Sequence, residues 1–287
     1  MKRIVFILII ILLIVYISFS LLSRGLDKEY AAEKLFYRAA KAIEKIMINP
    51  DVVPPKMAAS VERDLQRILD EYPETKIAKV AQMSLAEFYI TDKKYNKATS
   101  ALGAIIDKYS QDAAILSRAH FLKGNVYEKQ NQWNKALKEY TILKNKYKDT
   151  TFGLQIPLYI GSYYAKKGKD IEADTAYNEA VIFYEKIKSE NKGKPLGYMA
   201  STLLAQAYMN LKKYEEAGKA IEETINDYPS ALTYTQHIPG VELIFVKQLN
   251  RPQKAIEIYN SIKEKTNDDK LKEFLQRKIE SFKATAK

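Results

Sequence analysis

Apolar residues recur every three or four positions along most of this chain, which is the period of an amphipathic α-helix. The first stripe begins after Asp27 and stops at the segment NPDVVPP, whose prolines cannot occupy a helix interior. A second stripe follows and ends at Tyr72-Pro73. The members of the two stripes are Ala31, Ala32, Leu35, Phe36, Ala39, Ile43 and Met47, then Val61, Leu65 and Ile68. The pattern predicts two amphipathic helices joined by a proline-rich linker.

Beyond Pro73 the chain repeats one pattern at a nearly constant interval. Five pairs of residues each stand nine positions apart: Tyr89 and Ala98, Tyr127 and Ala136, Tyr164 and Ala173, Tyr208 and Ala217, Val246 and Ala255. Successive alanines lie 38, 37, 44 and 38 residues apart, and the longest interval contains the polar insertion KSENKGKPLG. The repeat predicts five units of one design.

A small residue stands three positions before the tyrosine in four of these units, so the two share a helix face. These small residues are Ala86, Gly124, Gly161 and Ala205. In three units a tyrosine also follows the alanine by four positions, as Tyr140 follows Ala136. We expect the small residues to let two helices approach closely and the tyrosines to fill the volume beside that contact. Polar turns between the helices, such as KQNQWN, complete a helical hairpin.

The first segment is continuously apolar, unlike the rest of the chain. Lys2 and Arg3 precede residues 4–22, nineteen residues without a charge, and about 20 apolar residues suffice for a helix to cross a bilayer. Small residues at Ser18 and Ser20 also fit a cleaved signal peptide, although the apolar core of such peptides is about 7 to 15 residues long. The length favours an uncleaved signal-anchor, and cleavage remains the alternative.

Basic residues on both flanks, Lys2 and Arg3 against Arg24 and Lys28, do not fix the orientation of this anchor. A short basic start followed by a long domain resembles an export signal, and long domains translocate largely regardless of their charge. We therefore expect a single inner-membrane (cytoplasmic membrane) span, with the repeats facing the periplasm or the cell exterior.

The pattern of small residue, tyrosine, alanine and closing proline resembles the tetratricopeptide repeat, although the period exceeds the usual value of about 34 residues. The resemblance covers about residues 56–263. It implies an all-α fold, a right-handed α-solenoid of helical hairpins behind the transmembrane helix. The resulting domains are an anchor at 1–22, an amphipathic helix and linker at 23–55, and a solenoid with a C-terminal capping helix at 56–287.

In the family, the first helices of the hairpins line a concave surface that binds partners. Carried over to matching positions, this partner-binding groove consists of Val80, Met83, Glu87, Ile90, Arg118, Phe121, Asn125, Glu128, Leu158, Ser162, Met199, Gln206 and Met209. Some relatives hold a C-terminal carboxylate with lysines and asparagines. Asn125 matches one such position, but Phe121 stands where a clamp lysine would be, so an extended or helical apolar segment is the better expected ligand.

The chain offers little material for catalysis. It has no cysteine, which excludes disulfides, thiolate metal sites and a lipid-modified cysteine. Its two histidines, His120 and His237, stand about three units apart, and units of a solenoid contact only their neighbours. We expect His120 to be a partly buried packing residue and His237 to lie at a surface or turn near Pro239. No phosphate-binding loop, nucleophile elbow or zinc motif occurs. We predict no enzyme, cofactor or metal, and unrecognised carboxylate chemistry remains an alternative.

The formal charge of +11 and the pI near 9.3 raise two further possibilities. Lysines recur in the inter-helix turns, where they could contact anionic lipid or simply be solvated: Lys93, Lys94, Lys166, Lys167, Lys169, Lys212 and Lys213. A basic helical-repeat protein could instead bind nucleic acid. Acidic residues interspersed among the lysines make this the second choice. The favoured hypothesis is a membrane-anchored scaffold that binds a protein partner in envelope assembly or protein export.

Overall fold

The structure, a computed structural model, describes residues 27–285 of the 287-residue chain. Within that range every regular element is a helix, which confirms the predicted all-α fold. The helices are α1 (27–48), α2 (Pro55–Glu71), α3 (Lys76–Thr91), α4 (Tyr95–Lys108), α5 (Ala113–Lys129), α6 (Trp133–Lys146), α7 (Thr151–Lys166), α8 (Asp170–Glu190), α9 (Pro195–Asn210), α10 (Tyr214–Asp227), α11 (Ala231–Val241), α12 (Pro252–Lys265) and α13 (Asp269–Thr285). Helix α11 continues directly into a π-helix at Glu242–Gln248.

The predicted anchor at residues 1–22 lies outside the described residues. Among the helices from residue 27 to residue 285, none combines the length and the apolar character that a membrane span requires. The predicted amphipathic helix is α1, and the proline-rich linker is the segment 49–54. Pro55 is the first residue of α2, a position where proline is well tolerated because its missing N–H has no partner there anyway.

Each predicted unit in the described chain is a helical hairpin, and the turn explains the nine-residue interval. Lys93 has a positive φ of 57°, the N–H of Lys94 donates to the carbonyl of Tyr89 at 2.8 Å, and the N–H of Lys93 donates to the carbonyl of Ile90 at 3.2 Å. These two bonds form a Schellman motif, which ends a helix on a left-handed residue. The left-handed residues of the five turns, each five positions before the alanine, are Lys93, Asn131, Gly168, Lys212 and Asn250.

The glycines of the repeat make room for an aromatic ring. A Cβ atom built on Gly124 would lie 2.3 Å from Cε1 of Tyr140, and one on Gly161 would lie 2.4 Å from Cε1 of Tyr177. The predicted close contact within a hairpin is therefore made by the glycine of the first helix and by the tyrosine that follows the alanine by four positions in the second helix. Where alanine replaces the glycine, an aliphatic residue replaces that tyrosine. These pairs are Ala86 with Leu102 and Ala205 with Ile221.

The fifth hairpin departs from the predicted register. The N–H of Arg251 donates to the carbonyl of Phe245 at 2.5 Å, one residue earlier than Val246, because the π-helix contains an extra residue per turn. Phe245 is buried, and its Cζ would lie 2.5 Å from a Cβ on Gly218 of α10. Phe245 therefore takes the place predicted for Val246.

The longest interval between repeats is helical rather than an irregular insertion. Helix α8 has 21 residues, whereas α4, α6, α10 and α12 have 14 each. The segment KSENKGKPLG thus supplies the last turn of α8, a short turn and the start of α9, which begins at Pro195. The extra residues extend one second helix and leave the hairpin design unchanged.

The chain divides into two compact units, with the boundary between Leu143 and Lys144 in helix α6. The repeat pattern predicts one solenoid over residues 56–287 and does not indicate this division. Unit 1 contains a core formed by α1 to α5, in which Val61, Leu65, Ile68 and Leu102 are fully buried. Unit 2 has a core that extends to the capping helix α13, which contributes Leu271, Leu275 and Ile279.

Candidate partner-binding surfaces

The predicted groove residues on the first helices are called the first-helix stripe below. In unit 1, Val80 of α3 is the member with the most exposed apolar side chain, at 48%. Met83 is only 7% exposed, and Ile90 is half-buried against the same core. Helix α3 contacts α2, α4 and α5, which explains why a methionine expected on the accessible face is buried. Met83 is therefore removed from the candidate surface.

Two charged members of the stripe meet in unit 1. Nε of Arg118 on α5 donates to Oε1 of Glu87 on α3 at 2.8 Å. Both side chains keep substantial exposure, 50% for Arg118 and 34% for Glu87. Exposed pairs of this kind contribute roughly 0 to 1 kcal/mol to stability. A partner could therefore replace this contact at little cost to the fold.

The remaining stripe residues of α5 are half-buried and support the hairpin. The ring centroid of Phe121 lies 6.2 Å from that of Tyr140, and Glu128 accepts a hydrogen bond from the Tyr140 hydroxyl at 2.5 Å. Asn125 is also half-buried. Phe121 and Glu128 thus have a structural role in addition to any contact with a partner.

In unit 2, as in unit 1, some residues of the first-helix stripe are packed inward and others are exposed. Leu158 and Met209 pack against the core, and Ser162 hydrogen-bonds to Tyr177. Met199 is 37% exposed, and Gln206 on the same helix is exposed. The accessible part of the stripe in this unit is therefore the α9 surface that contains Met199 and Gln206.

Each of the two compact units also has a groove between two second helices, and a first helix forms the floor of that groove. The unit 1 groove, between α2 and α4, has a volume of about 590 Å³, and the unit 2 groove, between α8 and α10, about 620 Å³. Leu85 and Tyr89 form the floor of the first, and Leu204 and Tyr208 occupy the matching places in the second. Both tyrosines were predicted only as repeat residues. The repeat pattern does not predict a groove, because the groove walls come from helices in successive hairpins.

The two grooves differ in charge. Lys188 donates to Glu223 across the unit 2 groove at 2.5 Å, whereas Ala104 stands in unit 1 at the position of Glu223. The unit 1 groove is lined mainly by amides and small side chains, among them Gln66, Gln82, Ser100 and Ala101. One repeat design thus produces a charge-bridged groove in unit 2 and a largely neutral one in unit 1.

Each floor tyrosine is anchored on a glutamate of the preceding second helix. The hydroxyl of Tyr89 donates to Glu62 at 3.0 Å, and that of Tyr208 donates to Glu185 at 2.8 Å. Burial would raise the pKa of Glu62, but hydrogen bonds from Lys97, Lys94 and Tyr89 together lower it to about 2. Burial and the neighbouring carboxylate raise the pKa of each tyrosine to about 12. Glu62, Tyr89 and Tyr208 therefore keep fixed charge states at neutral pH. The two tyrosine–glutamate hydrogen bonds join successive hairpins.

The comparison with known protein families agrees with this geometry. A model described as a tetratricopeptide repeat-like domain matches residues 2–186, and a tetratricopeptide repeat model matches residues 200–231. The chain belongs to the tetratricopeptide repeat-like family. Proteins of this family are scaffolds that bind other proteins, so the described hairpins form a protein-interaction domain.

Solved structures of tetratricopeptide proteins are similar to this chain at low sequence identity. A tetratricopeptide repeat protein from Parabacteroides merdae matches 89% of this chain and 88% of its own, with 13% identity and a TM-score of 0.40. BtubC (BKLC) from P. vanneervenii matches over 90% and 92%, with 13% identity and a TM-score of 0.35. No curated protein matches the chain.

Both histidines of this tetratricopeptide chain are buried. His120 is 8% exposed, and its Nδ1 lies 2.7 Å from Oε2 of Glu139. The other carboxylate oxygen of Glu139, Oε1, accepts from Lys123 at 2.9 Å. Burial would raise the pKa of Glu139, but the bonds from His120 and Lys123 leave it lowered. The expectation of a packing role for His120 fits this placement.

His237 was predicted at a surface or turn, and that prediction is wrong. It is 5% exposed, because α11 continues through Pro239 and keeps the ring inside unit 2. Burial lowers its pKa. Its ring centroid lies 6.1 Å from that of Tyr198 in an edge-to-face arrangement. Over residues 27–285, no group of three histidine or acidic side chains is placed to hold a metal ion.

Several of the turn lysines predicted to contact lipid or solvent are paired with neighbouring side chains. Lys94 contacts both Glu62 and Asp92, and Lys213 donates to Asn178 at 3.1 Å. Further lysines form ion pairs with acidic residues of the neighbouring second helix and so link consecutive second helices. These pairs are Lys97 with Glu62, Lys144 with Glu179, Lys188 with Glu223, and Lys254 with Glu222. Many of the basic side chains therefore already have partners within the two units.

Proposed function

We propose that this tetratricopeptide protein is a membrane-anchored scaffold that binds a protein partner through its first-helix stripe. The proposal includes the predicted anchor at residues 1–22, a repeat domain on the periplasmic or outer side of the membrane, and a role in envelope assembly or protein export.

The proposed binding surface is supported by apolar side chains that are exposed on first helices. Most stripe residues pack inward, yet Val80 and Met199 remain 48% and 37% exposed. Polar members of the same stripe are also accessible: Arg118 is 50% exposed, and Gln206 is exposed. Apolar centres with polar edges are typical of protein interfaces, and methionine adapts to partners of varied shape.

Photocrosslinking in cells tests this surface. A photoreactive residue placed at Val80 or Met199 is expected to capture a discrete protein. Ile171 and Ile182 provide matched controls, because both are exposed isoleucines on the second helix α8, 82% and 68% respectively. Capture of the same protein from the controls, with none from Val80 or Met199, would remove the first-helix stripe as the binding surface.

The anchor and the compartment need a separate test. The uncharged stretch 4–22 after Lys2 and Arg3 supports the anchor, and the long following domain supports export. Protease added to spheroplasts should digest the repeat domain while a cytoplasmic marker remains intact. Protection of the repeat domain until the membrane is lysed would contradict the proposed orientation.

Nucleic-acid binding is the second candidate, supported by the net charge of +11. The four second-helix ion pairs described above reduce the basic surface available to phosphates. Filter binding across a salt series separates the two functions, since phosphate contacts weaken steeply as salt rises. No retention of nucleic acid at low salt removes this candidate.

A further inference from the structure

Helix α1 presents two faces of different character. One face packs in unit 1, where Ala32, Leu35, Ala39 and Ile46 are buried. On the other face, Tyr30, Tyr37 and Ile48 are 70%, 63% and 83% exposed. These three residues stand seven and eleven positions apart, so they share one side of the helix. Met47, in the last turn of α1, is 56% exposed, and Val52, four residues after the helix end, is 65% exposed.

Two lysines lie on the same side of α1 as Tyr30 and Tyr37, Lys34 between the tyrosines and Lys41 after them. Nζ of Lys41 lies 6.0 Å from the centroid of the Tyr37 ring and 2.9 Å from Oε2 of Glu44. The pair with Glu44 is exposed, and exposed pairs of this kind are weak, so lipid phosphate can replace it. Tyrosine has an apolar ring and a polar hydroxyl, which suits the headgroup level of a bilayer. Lysine can lay its aliphatic stem on the apolar boundary and keep its ammonium group in the headgroups. Alternating tyrosine and lysine with an apolar end fits a lipid surface better than it fits a protein core.

The length of the preceding chain limits where α1 can lie. Only residues 23–26 separate the apolar stretch 4–22 from the start of α1 at residue 27. Four fully extended residues reach about 14 Å. If residues 4–22 span a bilayer, the first turn of α1 lies within about 20 Å of the membrane boundary.

We infer that the exposed face of α1 rests on the membrane surface, with Tyr30, Tyr37 and Ile48 at the headgroup level and Lys34 and Lys41 among anionic lipid phosphates. This inference rests on the proposed anchor, and it adds a second membrane contact that orients unit 1. The occupant of the face is a phospholipid bilayer, and a second copy of the chain is the competing occupant.

Fluorescence quenching in vesicles tests this contact with the full-length chain. Trp133 is first replaced by tyrosine, the residue that sister helices have at the same place, Tyr95 and Tyr214. Tyr37→Trp then provides the probe, with Leu232→Trp and Ile182→Trp as controls at exposed sites of unit 2, 67% and 68% exposed. The proteins are reconstituted in phosphatidylcholine and phosphatidylglycerol vesicles with and without brominated acyl chains.

Brominated lipid should quench the Tyr37→Trp emission at least twofold and leave both controls nearly unchanged. Lys34→Glu with Lys41→Glu should reduce that quenching in anionic vesicles. Flotation of the same samples separates the two hypotheses: a chain that does not float with vesicles contradicts the anchor. A chain that floats without quenching at residue 37 overturns the α1 contact. Blue-shifted emission that depends on protein density, without quenching by bromine, overturns it in favour of a second copy.

Discussion

Gly124 on the first helix of the second repeat unit faces the ring of Tyr140 on the second helix. A Cβ atom on Gly124 would lie 2.3 Å from Cε1 and 2.7 Å from Cζ of the tyrosine ring, which is fully buried. The same relationship joins Gly161 to Tyr177. Glycine in these helices is therefore required by the ring that faces it.

Gly124→Ala should lower the free energy of unfolding by about 1–3 kcal/mol, because the added methyl group overpacks against the buried ring. Gly103→Ala is the matched control, since a Cβ there meets nothing within 4 Å and alanine favours the helix by about 1 kcal/mol. Urea unfolding of both variants measures the difference. Equal effects at the two glycines would contradict the contact.

Tyr140→Leu should partly rescue Gly124→Ala, because the chain itself pairs Ala86 with Leu102. Each single substitution is destabilising, yet the double variant should lose less than their sum. A double-mutant cycle should give a favourable coupling of about 1–3 kcal/mol. Strict additivity would show that the two positions act independently.

Substitutions at two equivalent left-handed turn positions should change the stability of the protein in opposite directions. Gly168 has a φ of 67°, and Lys212 has a φ of 58° at the equivalent position. Gly168→Ala should destabilise the protein by about 1 kcal/mol, whereas Lys212→Gly should stabilise it by about 0.5 kcal/mol. Lys213→Gly serves as the control, since φ at Lys213 is −83°. Thermal unfolding distinguishes the three variants, and a gain from Lys213→Gly but none from Lys212→Gly would disagree with the turn geometry.

Glu62 should make unit 1 sensitive to acid. Its pKa is lowered from 4.5 to about 2 in the folded chain, so its contribution to stability is complete above pH 4.5 and is lost as pH falls towards 2. The side chain is 25% exposed, and with allowance for solvent screening the contribution is about 1–2 kcal/mol. Glu62→Gln should therefore lower stability at pH 7 and flatten the loss between pH 5 and pH 2. An acid profile as steep as that of the wild type would show that other carboxylates account for it.

The hairpins could be predicted from sequence because their turns have a fixed length. A Schellman motif places the left-handed residue four positions after the tyrosine, and the alanine follows five positions later, so the interval of nine appears directly in the sequence. In the fifth unit the sequence has the same interval from Val246 to Ala255, but the π-helix assigns the packing role to Phe245, ten positions before the alanine. The residue interval alone does not show that a helix contains one extra residue.

The candidate surfaces were less predictable because they depend on tertiary contacts. Met83 lies on the expected side of α3, yet three neighbouring helices bury it. His237 precedes Pro239, which normally ends a helix, but α11 continues through that proline. The two grooves could not be predicted because their walls lie in successive hairpins. Their charge depends on single positions, as the comparison of Ala104 with Glu223 shows.

Binding of the captured protein to defined surface variants tests the proposed scaffold function most directly. The partner identified from Val80 or Met199 is purified, and its Kd for the full-length chain is measured for the wild type, Val80→Glu, Met199→Glu and Ile182→Glu. A charge placed at the centre of an apolar contact should weaken binding at least tenfold for Val80→Glu or Met199→Glu, while Ile182→Glu stays within twofold of the wild type. Wild-type affinity in both stripe variants, or an equal loss in Ile182→Glu, would contradict the first-helix stripe as the binding surface.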